Sequence, residues 1–319
     1  MSRRVPTEPV EERPLGDGSL VDVPPDDAAW GHGACTDHEG HRVHYVRRGS
    51  GPPVVLLHGW PGFWYDYRRV VPALAEVADV VAPDLRGFGA SARPDLPPDP
   101  HYGRDAQAAV VLSVMESLDL APAILVGYDV GSGVAQVVAR LAPERVRGLV
   151  LGAPLHGGSG ARALMPEHQH EFWYQDFHRL PLAATLAGHD RESVRTYLRH
   201  FYDHWCGRAE TVRPAEFEAI VDVYAAPGAF ESSVNWYRAG AATLETARRA
   251  ERAPAPSPQP LPQPSRVLWG ERDPLFPPAW AEGLDRVLAD YRLEVLPGVG
   301  HFIPFEAPEA VIRAIGDLG

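Results

Sequence analysis

The sequence predicts an α/β fold in which a mostly parallel sheet carries helices on both faces and a helical segment is inserted. Short, continuous apolar runs recur along the chain, and amphipathic stretches such as 105–118 and 134–141 separate them. Such runs are typical of strands that are buried on both faces. They lie at 53–57, 80–83, 123–126, 148–151 and 266–269, after a half-exposed strand at 42–47, and a last strand is predicted at 293–296. The alternation of strand and helix stops between residues 157 and 261.

The interruption divides the chain into an arm, a core and a cap. Residues 1–30 are rich in proline and acidic residues, which predicts an extended N-terminal arm. The core is predicted at 31–156 and 262–319. Residues 157–261 are predicted to form a helical cap, because they are dense in aromatic side chains and lack the strand pattern. Every second residue from 254 to 264 is proline, so we expect an extended strap that leads from the cap back to the sheet.

Composition restricts the classes of function. A net charge of −12 over 319 residues argues against nucleic acid as a partner, because phosphate backbones are bound by clustered basic side chains. No run approaches the roughly 18 apolar residues that a membrane helix needs, and the N-terminus lacks a signal-peptide pattern. Cys35 and Cys206 are far apart and have no metal-ligand spacing. We therefore predict a cytoplasmic protein that acts on a small-molecule substrate without a metal or cofactor.

A G-x-D-x-G motif runs from Gly127 to Gly131 and follows the buried run at 123–126. In the G-x-nucleophile-x-G elbow, a sharp turn between strand and helix presents the central side chain, and the glycines relieve crowding in that turn. Asp129 would stand just ahead of a helix N-terminus, whose partial positive charge favours an anion. The alternative role of this aspartate is a helix cap.

Two partners for Asp129 follow in the chain order that this elbow requires, first an acid and then a histidine. His301 comes just after the last predicted strand, and Asp273 lies on the loop after the run at 266–269. We prefer Asp273 to Glu271 as the acid, because it stands last before the turn. A nucleophile, a base and an orienting acid together indicate catalysis and disfavour a simple cap.

The loop His58–Gly62 follows the run at 53–57. In this arrangement such a loop supplies one backbone N–H of an oxyanion hole, here from Trp60, and the second comes from Val130 after the nucleophile. His58 itself is expected to be structural.

With these motifs the chain resembles the epoxide hydrolases of the α/β-hydrolase fold, which are relatives of the haloalkane and fluoroacetate dehalogenases. The resemblance extends from about residue 31 to the C-terminus, and 58–61, 84–89 and 300–306 match motifs shared widely among these hydrolases. Aspartate at the elbow combined with Asn-Trp-Tyr-Arg at 235–238 is more specific. The resemblance implies that Tyr237 donates a hydrogen bond to the epoxide oxygen and that a cis peptide precedes Pro61.

The chain departs from the family at the second cap tyrosine. Alignment of the segment 174–181 puts Phe177 at that position, and phenylalanine has no proton to donate. We expect His178 to replace it, whereas Trp173 and Tyr174 fit cap packing better. The side chains expected to line the substrate pocket are Trp60, Val130, Trp173, Tyr174, Phe177 and Trp236.

These residues suit the opening of an epoxide. An aspartate, with a reference pKa of about 3.9, is ionised at neutral pH and can attack carbon directly, whereas serine suits acyl transfer. The predicted reaction forms an alkyl ester on Asp129, and water activated by His301 then releases a vicinal diol. The aromatic cap favours a bulky, aromatic substrate, as in natural-product tailoring. The absence of arginine at 130–133 favours a neutral one.

Two other functions stay open at this point. A dehalogenase would use the same nucleophile, but the resemblance places halide-binding side chains where this chain has Val130 and Pro61. A non-catalytic small-molecule binder is disfavoured, since binding alone gains nothing from a buried aspartate beside a histidine.

Overall fold

A computed structural model describes residues 24–155, 157–208, 211–252 and 259–319. The predicted N-terminal arm up to residue 23 and the strap residues 253–258 lie outside the described residues. The prediction of an extended arm is wrong for residues 28–30, which form a 3₁₀ helix. Trp30 at its end is 1% exposed and packs against Trp64, with the ring centroids 5.0 Å apart.

Eight strands form one sheet in the order β1-β2-β4-β3-β5-β6-β7-β8. Their bounds are β1 His32–Thr36, β2 Arg42–Gly49, β3 Pro53–Leu57, β4 Asp79–Pro83, β5 Ala123–Tyr128, β6 Val146–Gly152, β7 Ser265–Gly270 and β8 Tyr291–Leu296. Strands β3 to β8 pair in parallel, whereas β1 and β2 pair antiparallel. The predicted α/β fold with a mostly parallel sheet is confirmed. The sequence analysis missed the edge strand β1, which has no buried apolar run.

Fifteen α-helices lie in the described part of the chain. They are α1 Val71–Leu74, α2 Pro98–His101, α3 Arg104–Ser117, α4 Val130–Leu141, α5 Gly157–Arg162, α6 Pro166–Gln169, α7 Trp173–Arg179, α8 Pro181–Leu186, α9 Arg191–Trp205, α10 Pro214–Ala225, α11 Ala229–Ser233, α12 Asn235–Arg238, α13 Thr243–Arg252, α14 Ile303–Glu306 and α15 Pro308–Gly316. Helices α5 to α13 fall between β6 and β7, the segment for which the cap is predicted. No helix of the described ranges combines the length and apolar character needed to cross a bilayer.

Helix α4 is the element that carries the site. It begins directly after Asp129 and buries Val134, Ala135, Val138 and Ala139, which recur at helical spacing on one face. Gly131 lets this helix approach the end of β3, because a Cβ atom there would lie 2.1 Å from the Leu57 carbonyl oxygen.

The helices α5 to α13, called the cap below, contact the rest of the chain through a buried ion pair and through hydrogen bonds to the loop after β3. Glu216 on α10 contacts Arg68 at 2.8 Å and Arg69 at 2.9 Å. The hydroxyls of Tyr202 and Tyr224 donate to the carbonyls of residues 61 and 62, at 2.7 and 3.0 Å. A half-formed buried pair is far less stable than a complete one, so these contacts favour one position of α9 and α10 over the sheet.

Candidate active site

Asp129 occupies a strained turn between β5 and α4. Its φ of 49° and ψ of −120° lie where side chains other than glycine are uncommon. A Cβ atom on Gly127 would lie 2.3 Å from the Gly131 carbonyl oxygen, and one on Gly59 would lie 2.8 Å from Asp129 Cβ. The turn closes only with glycine at these places, and it presents the Asp129 carboxylate to a cavity between sheet and cap.

Both carboxylate oxygens of Asp129 have a defined neighbour. Oδ1 accepts a hydrogen bond of 2.8 Å from the Trp60 backbone N–H, and Oδ2 lies 3.4 Å from His301 Nε2. The Asp129 side chain makes no capping hydrogen bond to α4, which excludes the capping role. The peptide between Trp60 and Pro61 is cis, as predicted.

His301 is oriented by Asp273. The imidazole Nδ1 lies 2.9 Å from Asp273 Oδ2, and Asp273 Oδ1 accepts from the backbone N–H groups of Leu275 and Phe276 at 2.9 and 3.1 Å. With Nδ1 committed to Asp273, Nε2 is left facing Asp129 without another hydrogen-bond partner in the described residues. Glu271, the alternative acid, is exposed and accepts from the Gly298 N–H instead.

The charge state of His301 depends on these two carboxylates. Burial lowers the pKa of the imidazole, but the negative charges of Asp273 and Asp129 outweigh burial and raise the pKa to about 10. His301 is therefore protonated at neutral pH while the Asp129 charge is present. Removal of that charge would lower the pKa of His301 and let it release or accept a proton.

The cavity next to Asp129 has a volume of about 740 Å³, and two tyrosines of the cap line it together with the aspartate. Tyr174 on α7 and Tyr237 on α12 are buried, with their ring centroids 5.7 Å apart at an interplanar angle of 79°. Burial raises the pKa of both hydroxyls well above 10, so both remain proton donors across the physiological range.

Gln175 fixes the Tyr174 hydroxyl. The Gln175 Oε1 accepts from the Leu244 backbone N–H at 2.9 Å, which turns Nε2 towards the Tyr174 oxygen at 3.2 Å. Since that oxygen accepts from Gln175, its own proton is free to point elsewhere.

His178 is not a cavity residue, and the structure corrects the prediction for it. Its ring is fully buried, 4.5 Å between centroids from both Trp60 and Tyr237, and Nε2 lies 2.9 Å from the Tyr197 hydroxyl. Burial lowers the pKa of His178 well below its usual value, so it stays neutral. Tyr174, one helical turn earlier, is the side chain that reaches the cavity.

The other predicted pocket residues do not all lie at the cavity. Trp173 and Phe177 point away from the cavity and pack on α9, where Trp173 is 45% exposed. The prediction is therefore wrong for these two. Trp173 is offset from Tyr174 by one residue, which turns a helical side chain by about 100°, and Phe177 lies about one turn after Trp173. Trp236 and Val130 do line the cavity, while the Trp60 indole is packed among cap rings.

His58 has a structural position, as expected. Its Nδ1 donates to the Gly59 carbonyl at 2.9 Å and its Nε2 accepts from the Leu85 N–H at 3.0 Å. Burial lowers the pKa of His58, in keeping with a neutral ring that uses both nitrogens.

Sequence reasoning missed the polar side of the cavity. Its lining includes Arg104 from α3, Ser132 and Arg140 from α4, Arg249 from α13, and Arg286. None of these belongs to a recognisable motif. Only the helical spacing of Ser132, Gln136 and Arg140 after Asp129 could have placed some of them on the nucleophile's side of α4.

Comparison with known proteins agrees with this architecture. Residues 52–308 match the family model described as the alpha/beta hydrolase fold. The soluble epoxide hydrolase of Corynebacterium sp. (strain C12) is 32% identical over 287 residues, which cover 86% of this chain and 92% of that protein. Haloalkane dehalogenase 2 of Mycobacterium tuberculosis (strain ATCC 25618 / H37Rv) is 29% identical, with coverage of 88% and 92%.

The solved structures include the epoxide hydrolase CorEH without ligand. It superposes with a TM-score of 0.73 at 27% identity, covering 90% of this chain and 99% of that one. The family model thus matches most of the core, and one relative is more than 30% identical along nearly its whole length. The chain belongs to the α/β-hydrolase fold family and is an epoxide-hydrolase-like member of it, with haloalkane dehalogenases among its relatives.

Proposed function

We propose that the protein is an epoxide hydrolase that converts a bulky, aromatic epoxide to a vicinal diol through an alkyl ester on Asp129. One observation supports this most. A carboxylate with His301 at 3.4 Å shares a cavity with two protonated tyrosines, Tyr174 and Tyr237. The nucleophile comes from the core and the proton donors come from the cap. This arrangement suits a substrate in which one C–O bond breaks as another forms.

In the proposed first step, Tyr237 and Tyr174 donate hydrogen bonds to the epoxide oxygen. Asp129 Oδ2 attacks an epoxide carbon, because Oδ1 is already held by the Trp60 N–H. The ring C–O bond breaks, its electron pair stays on oxygen, and the alkoxide takes a proton from a tyrosine. Two donors that are buried and protonated stabilise the charge that appears on that oxygen.

The proposed second step follows from the charge of the ester. Alkylation removes the negative charge of Asp129, so the pKa of His301 falls from about 10 and the imidazolium gives its proton to the tyrosinate left by the first step. The neutral imidazole then takes a proton from water, and the resulting hydroxide attacks the ester carbonyl carbon. The N–H groups of Trp60 and Val130 are the proposed oxyanion hole. The bond between the carbonyl carbon and the alkyl oxygen then breaks, and the leaving alkoxide takes the proton of the carboxylic acid that forms at Asp129. The diol leaves, the Asp129 carboxylate is restored, and water has supplied one oxygen and two hydrogens overall.

The aromatic character of the substrate is supported by the rings of Tyr174, Trp236, Tyr237 and Phe276 in the cavity. Location in the cytoplasm and a role in natural-product tailoring stay predictions from the sequence.

Product identity tests this function. The purified protein is given styrene oxide, trans-stilbene oxide and 1-bromo-2-phenylethane in parallel, and diol and bromide are quantified. We expect diol from the epoxides. We expect bromide to be released no faster than in buffer without the protein. Faster bromide release would assign the nucleophile to dehalogenation, and failure to consume any of the three would contradict the proposal.

A further inference from the structure

The cavity is positively charged in a chain that is acidic as a whole. Four arginines line it, namely Arg104, Arg140, Arg249 and Arg286, and Asp129 is the one carboxylate among the described lining residues. The full chain carries a net charge of −12. A local excess of cations in an enclosed space raises the concentration of anions there, since the low-dielectric walls concentrate the field.

Arg104 has defined contacts with both α4 and the cap. It is the first residue of α3, its side chain packs on Gly133, and its Nε donates to the Ala241 carbonyl of the cap at 3.0 Å. No carboxylate of the described residues forms an ion pair with it. Arg104 is partly buried, and the more deeply buried Arg68 does have such a partner in Glu216.

An uncompensated guanidinium is costly to bury, and burial accordingly lowers the pKa of Arg104 despite the attraction of Asp105 and Asp129. A bound anion would remove that cost. The Nε–Ala241 bond leaves the two terminal nitrogens as the groups available to one, in the fork geometry that matches a carboxylate.

Ser132 provides a second, independent sign of a ligand. The residue is 2% exposed and lines the cavity, yet its Oγ has no hydrogen-bond partner in the described part of the chain. Buried hydroxyls without a partner are rare in folded proteins. Ser132 follows Asp129 by three residues, so it lies about one helical turn, or roughly 5 Å, further along the same face of α4.

We propose that the substrate is an epoxide that also carries a carboxylate, which Arg104 and Ser132 bind while Asp129 attacks the ring. This inference rests on the proposed epoxide hydrolysis and adds its substrate class. The spacing suits one aromatic ring between the two groups. Arg249 and Arg286 line the same cavity and are exposed to solvent, so they would attract the anion to it. The expectation of a neutral substrate took account only of residues that follow the elbow in sequence, whereas Arg104 reaches the cavity from another helix.

The test compares two substrates that differ in charge alone, 4-carboxystyrene oxide and its primary amide. We expect wild-type kcat/KM to be about tenfold to a hundredfold higher for the acid, the range of a charge-assisted hydrogen bond. In Arg104→Met the ratio of acid to amide should fall to about one, and Arg104→Lys should keep part of the preference. A ratio measured within one variant cancels any general loss of active protein. Arg292→Met, the same change at an exposed arginine on β8, should keep the wild-type ratio.

Each outcome decides between the two proposals. If the wild type opens both substrates at equal rates, or if Arg104→Met keeps the preference for the acid, the anion site is refuted while epoxide hydrolysis stands. If neither substrate is opened, epoxide hydrolysis is contradicted for this class. In that case the anion site is tested by measuring the affinities of 4-(1,2-dihydroxyethyl)benzoate and its amide by calorimetry. Tighter binding of the acid that Arg104→Met abolishes supports it, and equal binding refutes it.

Discussion

The two halves of the candidate site are built by different means. In the core half, Asp129, Asp273 and His301 each stand on a loop directly after a strand of one sheet, so the backbone of the sheet sets their separation. In the cap half, Tyr174 and Tyr237 come from two short helices whose positions depend on side-chain packing. The core half is therefore specified by short sequence motifs at the ends of strands. The cap half depends on contacts between residues that are far apart in sequence.

The difference leads to unequal sensitivity. A change in the core half should act on the chemistry itself, because each group there has one task. A change in the cap half should be graded, because in the proposed mechanism two tyrosines donate to the epoxide oxygen and one donor is left when the other is removed. The predictions below follow that order.

Loss of the nucleophile should have the largest effect. Asp129→Asn should lower steady-state epoxide hydrolysis by about four orders of magnitude or more, since an amide cannot form the ester. Asparagine tolerates the positive φ at this position, which keeps the fold intact. The matched control is Asp119→Asn, an exposed aspartate that also has a positive φ, of 55°. Equal activity of the two variants would remove Asp129 from the mechanism.

Removal of one cap hydroxyl should cost about a hundredfold in kcat, the size expected for one donor to a developing oxyanion. Tyr174→Phe and Tyr237→Phe should both show this loss, and the double variant should lose more than either. Tyr197→Phe removes a cap hydroxyl that contacts His178 outside the cavity, and it should change kcat by less than about threefold. A large effect at Tyr197 with none at Tyr174 would restore His178 as the second donor.

The ion pair between the cap and the core can be weakened without changing any residue of the candidate site. Glu216→Gln leaves the Arg68 charge buried with only a neutral partner, and we expect the free energy of unfolding to fall by about 3–5 kcal/mol. Glu218→Gln on the same helix breaks exposed pairs with Arg191 and Arg195 and should cost less than about 1 kcal/mol. Denaturant titration measures both, and equal losses would mean that Glu216 does not anchor the cap.

The smallest predicted effect is the change in the free energy of unfolding per pH unit. The pKa of His301 is raised from 6.5 to about 10 in the folded protein, so its protonation stabilises the fold below pH 6.5. That contribution is lost gradually as pH rises from 6.5 to 10, by at most about 1.4 kcal/mol per pH unit. The stability advantage of the wild type over His301→Gln should therefore shrink across this range. An advantage that is constant with pH would show that His301 is neutral in the free protein.

The sequence predicted much of the fold because buried parallel strands leave continuous apolar runs. Strands β3 to β7 begin and end within about two residues of the runs that predicted them. Strand β8 also lies within two residues of its predicted segment, although it is mostly exposed and includes Glu294. Strand β1 was missed, since an edge strand is specified by its pairing with β2 more than by its own residues. Helix α4 begins four residues before the predicted start at 134, because the glycines at 131 and 133 interrupt the apolar pattern.

The core half of the site was predictable for the same local reason, whereas the cap half was not. Alignment put Phe177 at the second tyrosine position, but the packing of α7 on Trp60 brings Tyr174 to the cavity instead. Arg104 is distant in sequence from every motif, and only the packing of α3 on α4 brings it near Ser132. Such contacts depend on how helices meet, which single-sequence patterns do not encode.

The covalent ester on Asp129 is the claim on which the rest depends, and intact-protein mass spectrometry tests it directly. His301→Gln should still be alkylated but should release product slowly, because no base activates water. Incubation with styrene oxide should therefore add one substrate mass, about 120 Da, to this variant, and peptide mapping should locate it at residue 129. An unmodified His301→Gln protein that still forms diol, or a label at any other residue, would contradict the mechanism.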